Sequence, residues 1–330
     1  MNEFLASQLT PFDVDPDTLS PPPNPSIRTG QFPSANLGWV GRDWAAYSLQ
    51  EVRSKHPSVI MDLPLNDLVD DGPVEAVRLW NAVRTVLGED TPNYPQEVGS
   101  CVGFGAKNVE EYLEAQEIIA GDREEFHLVY EPFNYGCSRK MGGFRLRGDG
   151  STGAWMAAAA VKCGVLRADF PDVPPYSGSV DRLWGRSPGP PQEFLDEGDD
   201  HLIKKAAPIN SLDEAIAAIK NGYPMTIASN QGFTMEAARD GFHQAYGSWS
   251  HQMFLAAYIP DPVPHWAVGN SWGDVHGTIK DFITDEVWPV GFLRVHNHVV
   301  QNMIRSGECF AFSQFDGFPR KRPDFRPWNR

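Results

Sequence analysis

The sequence predicts an α+β fold, because helix-forming segments fill the first half of the chain and strand-forming segments fill the second. One helix begins at Cys101 and is stopped by Gly121, and a second covers residues 154–163 after a Gly-rich turn. A third covers residues 212–220 behind Ser211, whose hydroxyl suits a helix N-cap. Apolar segments separated by turn residues then predict strands at residues 224–229, 251–259, 266–272 and 291–296.

Composition argues against several classes of function. The chain has 330 residues, 41% of them hydrophobic, with ten Trp and nineteen Phe, which predicts a folded globular protein. A formal net charge of −15 would repel a phosphate backbone, so no nucleic acid partner is expected. The chain lacks an apolar run of roughly 20 residues and the features of a signal peptide. We therefore expect no membrane association. Four cysteines are too few for a disulfide scaffold in a chain of this length, so we expect a reducing, cytoplasmic location.

The local sequence around Cys101 favours a reactive thiol. A cysteine attacks as the thiolate, and a free thiol with a pKa of about 8.5 supplies little thiolate at neutral pH. The run Gly99-Ser100-Cys101 places the side chain at a helix N-terminus, where backbone N–H groups and the helix dipole stabilise the thiolate. The alternative is that Cys101 is a small buried apolar residue, which is the commoner role of a lone cysteine.

Two downstream segments carry a resemblance to a known family. Residues 249–253 read Trp-Ser-His-Gln-Met, and residues 265–273 read His-Trp-Ala-Val-Gly-Asn-Ser-Trp-Gly. They resemble the histidine and asparagine strands of papain and the cathepsins. In that family the two residues follow the cysteine by about 130 to 150 positions. His251 lies 150 positions after Cys101 (251 − 101), and Asn270 lies slightly beyond the range.

The resemblance implies a papain-like two-lobed fold, with the nucleophile on a helical lobe and the histidine and asparagine on a β-barrel lobe. By this resemblance Cys101 is the nucleophile, His251 the general base and acid, and Asn270 the residue that orients the imidazole. The implied reaction is hydrolysis of peptide bonds in a peptide or protein substrate through a thioester, without metal or cofactor. The oligomeric state is left open.

Further site residues are carried over from the same resemblance. Gln96 is expected to donate to the oxyanion together with the Cys101 backbone N–H. Gly150 and Ser151 stand where the family has paired glycines that bind the substrate backbone, and Trp272 is expected to cover the hydrogen bond between His251 and Asn270.

The chain departs from the family at several of these positions. Val102 replaces an aromatic residue after the nucleophile, and Val98 stands where the family has a disulfide cysteine. Gln96 lies five residues before Cys101 instead of six, and Ser151 replaces the second glycine. The spacing of Gln96 is the departure that concerns a catalytic residue.

The resemblance divides the chain into four parts. Residues 1–35 are a Pro-rich N-terminal arm, and residues 94–300 are the papain-like catalytic domain. Residues 36–93, with near-helical apolar spacing from 73 to 87, form an extension that is either propeptide-like or packed on the core. Residues 301–330 form a C-terminal extension. In papain relatives a propeptide crosses the cleft and blocks it.

Other functions remain open at this stage. A peptidoglycan-directed amidase or endopeptidase would use the same cysteine and histidine, and it would be virion-associated if phage-encoded. A catalytically silent papain-like scaffold in assembly or binding would preserve the fold, although it would need none of the three catalytic residues. His296 and His298 would share one face of a strand, but no third metal ligand is evident and a structural role is favoured.

Overall fold

The computed structural model describes residues 34–69, 72, 74–121, 125–201 and 203–320. The predicted Pro-rich arm lies outside these residues except for its last two. The helices are α1 (Arg42–Lys55), α2 (Leu65–Leu68), α3 (Trp80–Leu87), α4 (Cys101–Ala120), α5 (Glu131–Met141), α6 (Gly153–Lys162), α7 (Gly178–Trp184), α8 (Gln192–Asp199), α9 (Leu212–Lys220) and α10 (Asn297–Ser306). The strands are β1 (Ser34–Asn36), β2 (Val77–Arg78), β3 (Lys205–Pro208), β4 (Met225–Phe233), β5 (Ala245–Ile259), β6 (His265–Gly269), β7 (Phe292–His296) and β8 (Glu308–Ser313). These elements confirm the predicted α+β class.

The three predicted helices form close to their expected bounds, for the local reasons that the sequence suggests. α4 begins at Cys101 and ends at Gly121, whose φ of 83° is the left-handed conformation in which glycine commonly ends a helix. The Ser211 hydroxyl accepts a hydrogen bond from the Glu214 N–H at 3.1 Å and so caps α9. α6 is capped in the same way by Thr152.

α4 is the helix on which both halves of the molecule pack. It contacts α3, α5 and α6 among the helices, and β5 of the sheet. Its first four turns are almost entirely buried. Two charged side chains in this buried stretch neutralise each other, because Lys107 Nζ lies 2.8 Å from Glu111 Oε2 one turn later. The start of α4 is buried against the sheet and the neighbouring helices.

The described strands belong to one sheet, and its main path runs β3-β8-β4-β5-β6-β7 with antiparallel neighbours. β5 is the longest strand, and the short strands β1 and β2 also pair with it. The register places Ser229 of β4 opposite His251 of β5. It also places Phe254 opposite Gly269, the last residue of β6 before Asn270. Strand pairing therefore fixes where His251 and Asn270 lie relative to each other.

The segment 73–87 is helical over a shorter length than its apolar spacing predicts. Val77 and Arg78 form β2, opposite Tyr258 and Ala257 of β5. The next residue, Leu79, donates its N–H to the carbonyl of Ala256 at 3.0 Å. Because these backbone groups bond to the sheet, they are not free to extend the helix, and α3 begins only at Trp80.

Both predicted extensions contribute to the body of the fold. Buried residues of the 36–93 segment join the same core as the rest of the chain, among them Leu37, Trp39, Val59, Leu79, Trp80 and Val83. At the other end, α10 runs across residue 300, and β8 lies between β3 and β4 inside the sheet. Removal of residues 36–93 as a propeptide stays a prediction. No helix in the described ranges has the length and apolarity to cross a membrane.

Glu308, the first residue of β8, joins three parts of the fold through one buried carboxylate. Its oxygens accept hydrogen bonds from the Gly153 N–H at 2.9 Å and the Ala154 N–H at 3.1 Å, at the start of α6. They also accept a hydrogen bond from the indole Nε1 of Trp39 at 2.6 Å. A negative charge at a helix N-terminus is favourable, and here it also anchors an N-terminal segment to the sheet.

We expect Glu308→Ala to lower the free energy of unfolding by about 3 kcal/mol, because three buried donors lose their only charged acceptor. The measurement is urea denaturation followed by circular dichroism. Glu236→Ala, at an exposed carboxylate after β4, is the matched control and should change the free energy by less than about 0.5 kcal/mol. Equal effects of the two substitutions would contradict the anchoring role of Glu308.

Candidate active site

Gln252 of β5 connects the start of α4 to the sheet. Its backbone N–H donates to Cys101 Sγ at 3.2 Å, and its side-chain Nε2 donates to the Val102 carbonyl at 3.2 Å. The helix approaches closely because Gly105 has no side chain: a Cβ there would lie 3.0 Å from Gln252 Nε2. His251 precedes Gln252, so this contact brings the candidate nucleophile and the candidate base to the same place.

The predicted pair of His251 and Asn270 is hydrogen bonded. His251 Nε2 lies 2.7 Å from Asn270 Oδ1, which also accepts from the Ser271 N–H at 2.8 Å. Because an amide oxygen only accepts, the proton of the neutral imidazole is on Nε2. His251 Nδ1 is buried without a hydrogen-bond partner. The nitrogen left for proton transfer is therefore Nδ1.

Trp272 lies against this pair. Its ring stacks on the His251 imidazole, with centroids 5.2 Å apart and planes 25° apart. Trp249, which lies on β5, packs against Trp272 with ring centroids 4.8 Å apart. Both indoles are buried, so water is excluded from the imidazole–amide hydrogen bond, which strengthens it.

Gln96 lies at the same site despite its unusual spacing. Its Nε2 donates to the carbonyls of Leu37, at 3.0 Å, and Val98, at 2.9 Å. Its Oε1 accepts from the Ser271 hydroxyl at 2.7 Å. The amide is thus fixed between the loop after β6 and the turn before α4. Its role as an oxyanion donor stays a prediction.

Ser151 and Gly150 lie along the cleft between helices and sheet. The Ser151 N–H donates to the Gly38 carbonyl at 2.8 Å, and the Ser151 carbonyl accepts from the Val40 N–H at 3.1 Å. The backbone of Ser151 therefore already pairs with the backbone of a segment of the same chain. The serine hydroxyl is engaged elsewhere, 2.6 Å from the Ser138 hydroxyl, which explains how serine fits where the family has glycine.

That segment is residues 37–40, which we call the cover segment. Its Leu37 N–H donates to the Ser250 carbonyl at 3.0 Å, and its Leu37 carbonyl accepts from Gln96. Its Trp39 side chain is anchored on Glu308. Under this segment, Cys101 and His251 are both 0% exposed to solvent. The candidate site is closed by its own chain.

Closure sets the charge state of the site. Burial raises the pKa of the Cys101 thiol to about 12, although the backbone N–H groups of Gln252, Trp39 and Val102 partly offset this. Burial also lowers the pKa of His251 to about 4, with the Asn270 hydrogen bond opposing the shift. Both groups are therefore neutral near pH 7. The closed site holds a thiol and an imidazole, not a thiolate and an imidazolium.

A buried carboxyl pair lies behind the start of α4 and is not among the predicted site residues. Burial raises the pKa of Asp181 to about 7, and it raises that of Glu131 well above the ordinary range, with the Asp181 charge adding to the shift. Asp181 Oδ2 accepts from the Ser100 hydroxyl at 2.9 Å, immediately before Cys101. A charged Glu131 would raise the Cys101 pKa further. Because its pKa is raised, Glu131 is held in the neutral form, which adds no negative charge near Cys101.

The structure separates two histidines: His296 packs on an aromatic ring, and His276 lies within the candidate site. His296, considered above as a metal ligand, stacks on Phe242 with ring centroids 3.6 Å apart, and the described residues contain no group of three or more side chains arranged to hold a metal ion. His276, which is not among the predicted residues, contacts Asn270 directly: its Nε2 lies 2.8 Å from Asn270 Nδ2. Its only sequence signal is its position six residues after Asn270.

Comparison with known proteins supports the fold. No protein-family model and no curated protein sequence matches the chain. Among solved structures it is similar to xylellain, a cysteine protease from Xylella fastidiosa, with a TM-score of 0.53, 14% identity, and coverage of 78% of this chain and 91% of that one. It is also similar to the ragweed cysteine protease Amb a 11 in its proform, with a TM-score of 0.50, 16% identity, and coverage of 85% and 78%. The chain has the papain-like two-lobed fold.

The packing of Gly38 supplies a test of closure. A Cβ at Gly38 would lie 2.2 Å from the Gly99 carbonyl oxygen, and Gly38 has a φ of +118°, so alanine does not fit the closed arrangement. We expect Gly38→Ala to displace the cover segment and to increase the rate of Cys101 alkylation by iodoacetamide at pH 7.5 at least about tenfold, because local opening limits access. The measurement is the alkylation rate, with the modified residue identified by mass spectrometry.

Gly41→Ala is the matched control. Gly41 also has a positive φ, of +89°, but a Cβ there would have no atom within 4 Å. Both substitutions place alanine at a positive φ, and only Gly38→Ala adds the clash with Gly99. Similar alkylation rates in the two variants, both measured below the unfolding temperature, would show that the cover segment does not control access to Cys101.

Proposed function

We propose that the protein is a cysteine peptidase that hydrolyses peptide bonds in a peptide or protein substrate. The observation that carries the proposal is the buried hydrogen bond between His251 and Asn270, which leaves His251 Nδ1 without a partner. The residue after His251 is Gln252, whose N–H donates to Cys101 Sγ. Fold similarity to cysteine proteases supports the reaction class. In this proposal Cys101 is the nucleophile, His251 the base and acid, and Asn270 the orienting residue.

Catalysis requires the cover segment to leave the cleft. Its release admits water and substrate, which reduces the desolvation that now keeps Cys101 and His251 neutral. The thiol proton then passes to His251 Nδ1, and the imidazolium and the α4 N-terminus stabilise the thiolate. Release and activation are thus one event in this proposal.

The chemical steps follow from this arrangement. Cys101 Sγ attacks the carbonyl carbon of the scissile bond, and the displaced electron pair becomes an oxyanion that accepts hydrogen bonds from Gln96 Nε2 and the Cys101 N–H. The intermediate collapses, and the leaving amine takes the proton from His251 Nδ1, which leaves a thioester. A water molecule then gives a proton to Nδ1 and attacks the thioester. Collapse of the second intermediate releases the new carboxyl group and the Cys101 thiolate, which takes back the proton from His251 Nδ1.

The same site would bind the substrate backbone where the cover segment now lies. Ser151 already pairs with Gly38 and Val40 through its N–H and carbonyl groups, and Gln96 already binds the Leu37 carbonyl. These are the groups that the resemblance assigns to substrate and oxyanion binding. Occupation by a segment of the same chain supports their capacity to bind a peptide backbone.

Closure of the site favours a second candidate, a papain-like scaffold without catalytic activity. A scaffold has no need for an exposed thiol, and Cys101 and His251 are fully buried. The retained hydrogen bonds around His251 weigh against it, because a buried imidazole with an unpartnered nitrogen costs stability that an apolar side chain would not.

Hydrolysis by the Gly38→Ala protein separates the two candidates. We expect this variant to cleave members of a fluorogenic peptide library, and the further substitution Cys101→Ala to abolish cleavage because it removes the nucleophile. Cys309→Ala, which removes another buried thiol on β8, is the control and should retain turnover within about threefold. A fully alkylatable Gly38→Ala protein that cleaves no peptide would favour the scaffold.

Gln96→Ala should have opposite effects on access and on catalysis. In the otherwise unmodified chain it removes the donor to Leu37, so alkylation of Cys101 should become faster. In the Gly38→Ala background it should lower kcat by about 10² to 10³ with little change in KM, because the oxyanion contact forms in the transition state. Steady-state kinetics within threefold of the parent would assign the oxyanion contact to another donor.

A further inference from the structure

His276 completes a chain of hydrogen bonds that begins at a backbone carbonyl and ends at the candidate base. His276 Nδ1 lies 3.2 Å from the Met235 carbonyl oxygen, and His276 Nε2 lies 2.8 Å from Asn270 Nδ2. Asn270 Oδ1 in turn lies 2.7 Å from His251 Nε2. The four groups therefore form a continuous path across the loop after β6.

The position of every proton along this path follows from its first member. A carbonyl oxygen only accepts, so His276 carries its proton on Nδ1 and presents a lone pair at Nε2. The group facing that lone pair must be the donor of the Asn270 amide, which turns Oδ1 toward His251. His251 is then protonated on Nε2, and its Nδ1 lone pair remains for the Cys101 thiol.

The surroundings of His276 keep it in this state. The side chain is buried, and burial lowers the pKa of His276 to about 4, so it is neutral at physiological pH. Trp272 lies against both imidazoles, with its ring centroid 5.9 Å from that of His276 and 5.2 Å from that of His251. One indole thus shields both ends of the Asn270 amide from water.

We propose that His276 is a positioning residue that fixes the orientation of the Asn270 amide and, through it, the tautomer of His251. The inference rests on the proposed function of Cys101, His251 and Asn270. Ser271 N–H also favours this orientation by donating to Asn270 Oδ1. His276 acts on the opposite end of the amide, where the buried NH₂ group would otherwise lose its acceptor and the amide its second restraint.

The tautomer of His276 can be read directly in the unmodified chain. Long-range ¹H–¹⁵N correlation spectra of protein labelled at its nine histidines distinguish a ring protonated on Nδ1 from one protonated on Nε2. The His276→Gln spectrum identifies the His276 signals by their loss. We expect the Nδ1-protonated form for His276 and the Nε2-protonated form for His251. The opposite tautomer at His276 would overturn the proposal.

A double-mutant cycle then tests the route of action. In the Gly38→Ala background we expect His276→Phe, which fills space without an acceptor, to lower the Cys101 alkylation rate at pH 7 on the order of tenfold. His276→Gln, whose carbonyl restores an acceptor, should recover most of the rate. With Asn270→Ala already present, His276→Phe should have little further effect. A tenfold loss of alkylation rate that persists in the Asn270→Ala background, or no recovery of the rate with His276→Gln, would show that His276 acts only through packing.

These readouts are separable from the proposed peptidase activity. Tautomers and alkylation rates require no substrate, so a protein that cleaves no peptide but shows the expected tautomers and the non-additive cycle would refute the peptidase and retain the positioning role. Cleavage of peptides by a protein in which the effects at His276 and Asn270 are additive would support the peptidase and refute the positioning role. Thermal unfolding of each variant checks that the substitutions leave the chain folded.

Discussion

The contact between the start of α4 and the middle of β5 is the constraint on which the site depends. Cys101 and His251 belong to different lobes, and Gln252 joins them by donating from its backbone to Cys101 and from its side chain to Val102. Because the strand register fixes His251 relative to Asn270, this one contact positions Cys101 relative to both of them. The buried length of α4 serves to hold that contact rigidly.

Closure of the cleft is built from polar interactions of the same kind as those expected for a substrate. The cover segment uses backbone groups of Ser151 and Ser250 and the amide of Gln96, and it adds the anchor from Trp39 to Glu308. Its release therefore exchanges protein hydrogen bonds for hydrogen bonds with substrate or water. Such an exchange has a small net free energy per bond, so the strength of closure rests largely on the buried Trp39 and its carboxylate.

Local sequence signals predicted the elements whose determinants are local. The helix that begins at Cys101 and the cap at Ser211 depend on residues within a few positions, and the strand bearing His251 includes the apolar run 253–259. The α+β class follows from these elements, whereas the papain-like fold was implied by the family resemblance, and both are confirmed. The roles given to Cys101, His251 and Asn270 came from the resemblance.

The remaining features depend on contacts between distant parts of the chain. Val77 and Arg78 become a strand only because β5 is available to pair with them. The cover segment and Glu308 meet across 269 residues, and no local pattern marks that meeting. The contact of His276 with Asn270 was likewise not predictable from local sequence, because it depends on which end of the Asn270 amide His276 faces.

The tether of the cover segment has a consequence for ligand binding. Residues 37–40 lead directly into α1, so their local concentration at the cleft is set by geometry, on the order of millimolar for short linkers, and does not fall on dilution. The apparent dissociation constant of any cleft ligand equals its intrinsic value divided by the fraction of open molecules. That fraction is the same for every ligand. Closure therefore preserves the ranking of ligands while weakening all of them by one common factor.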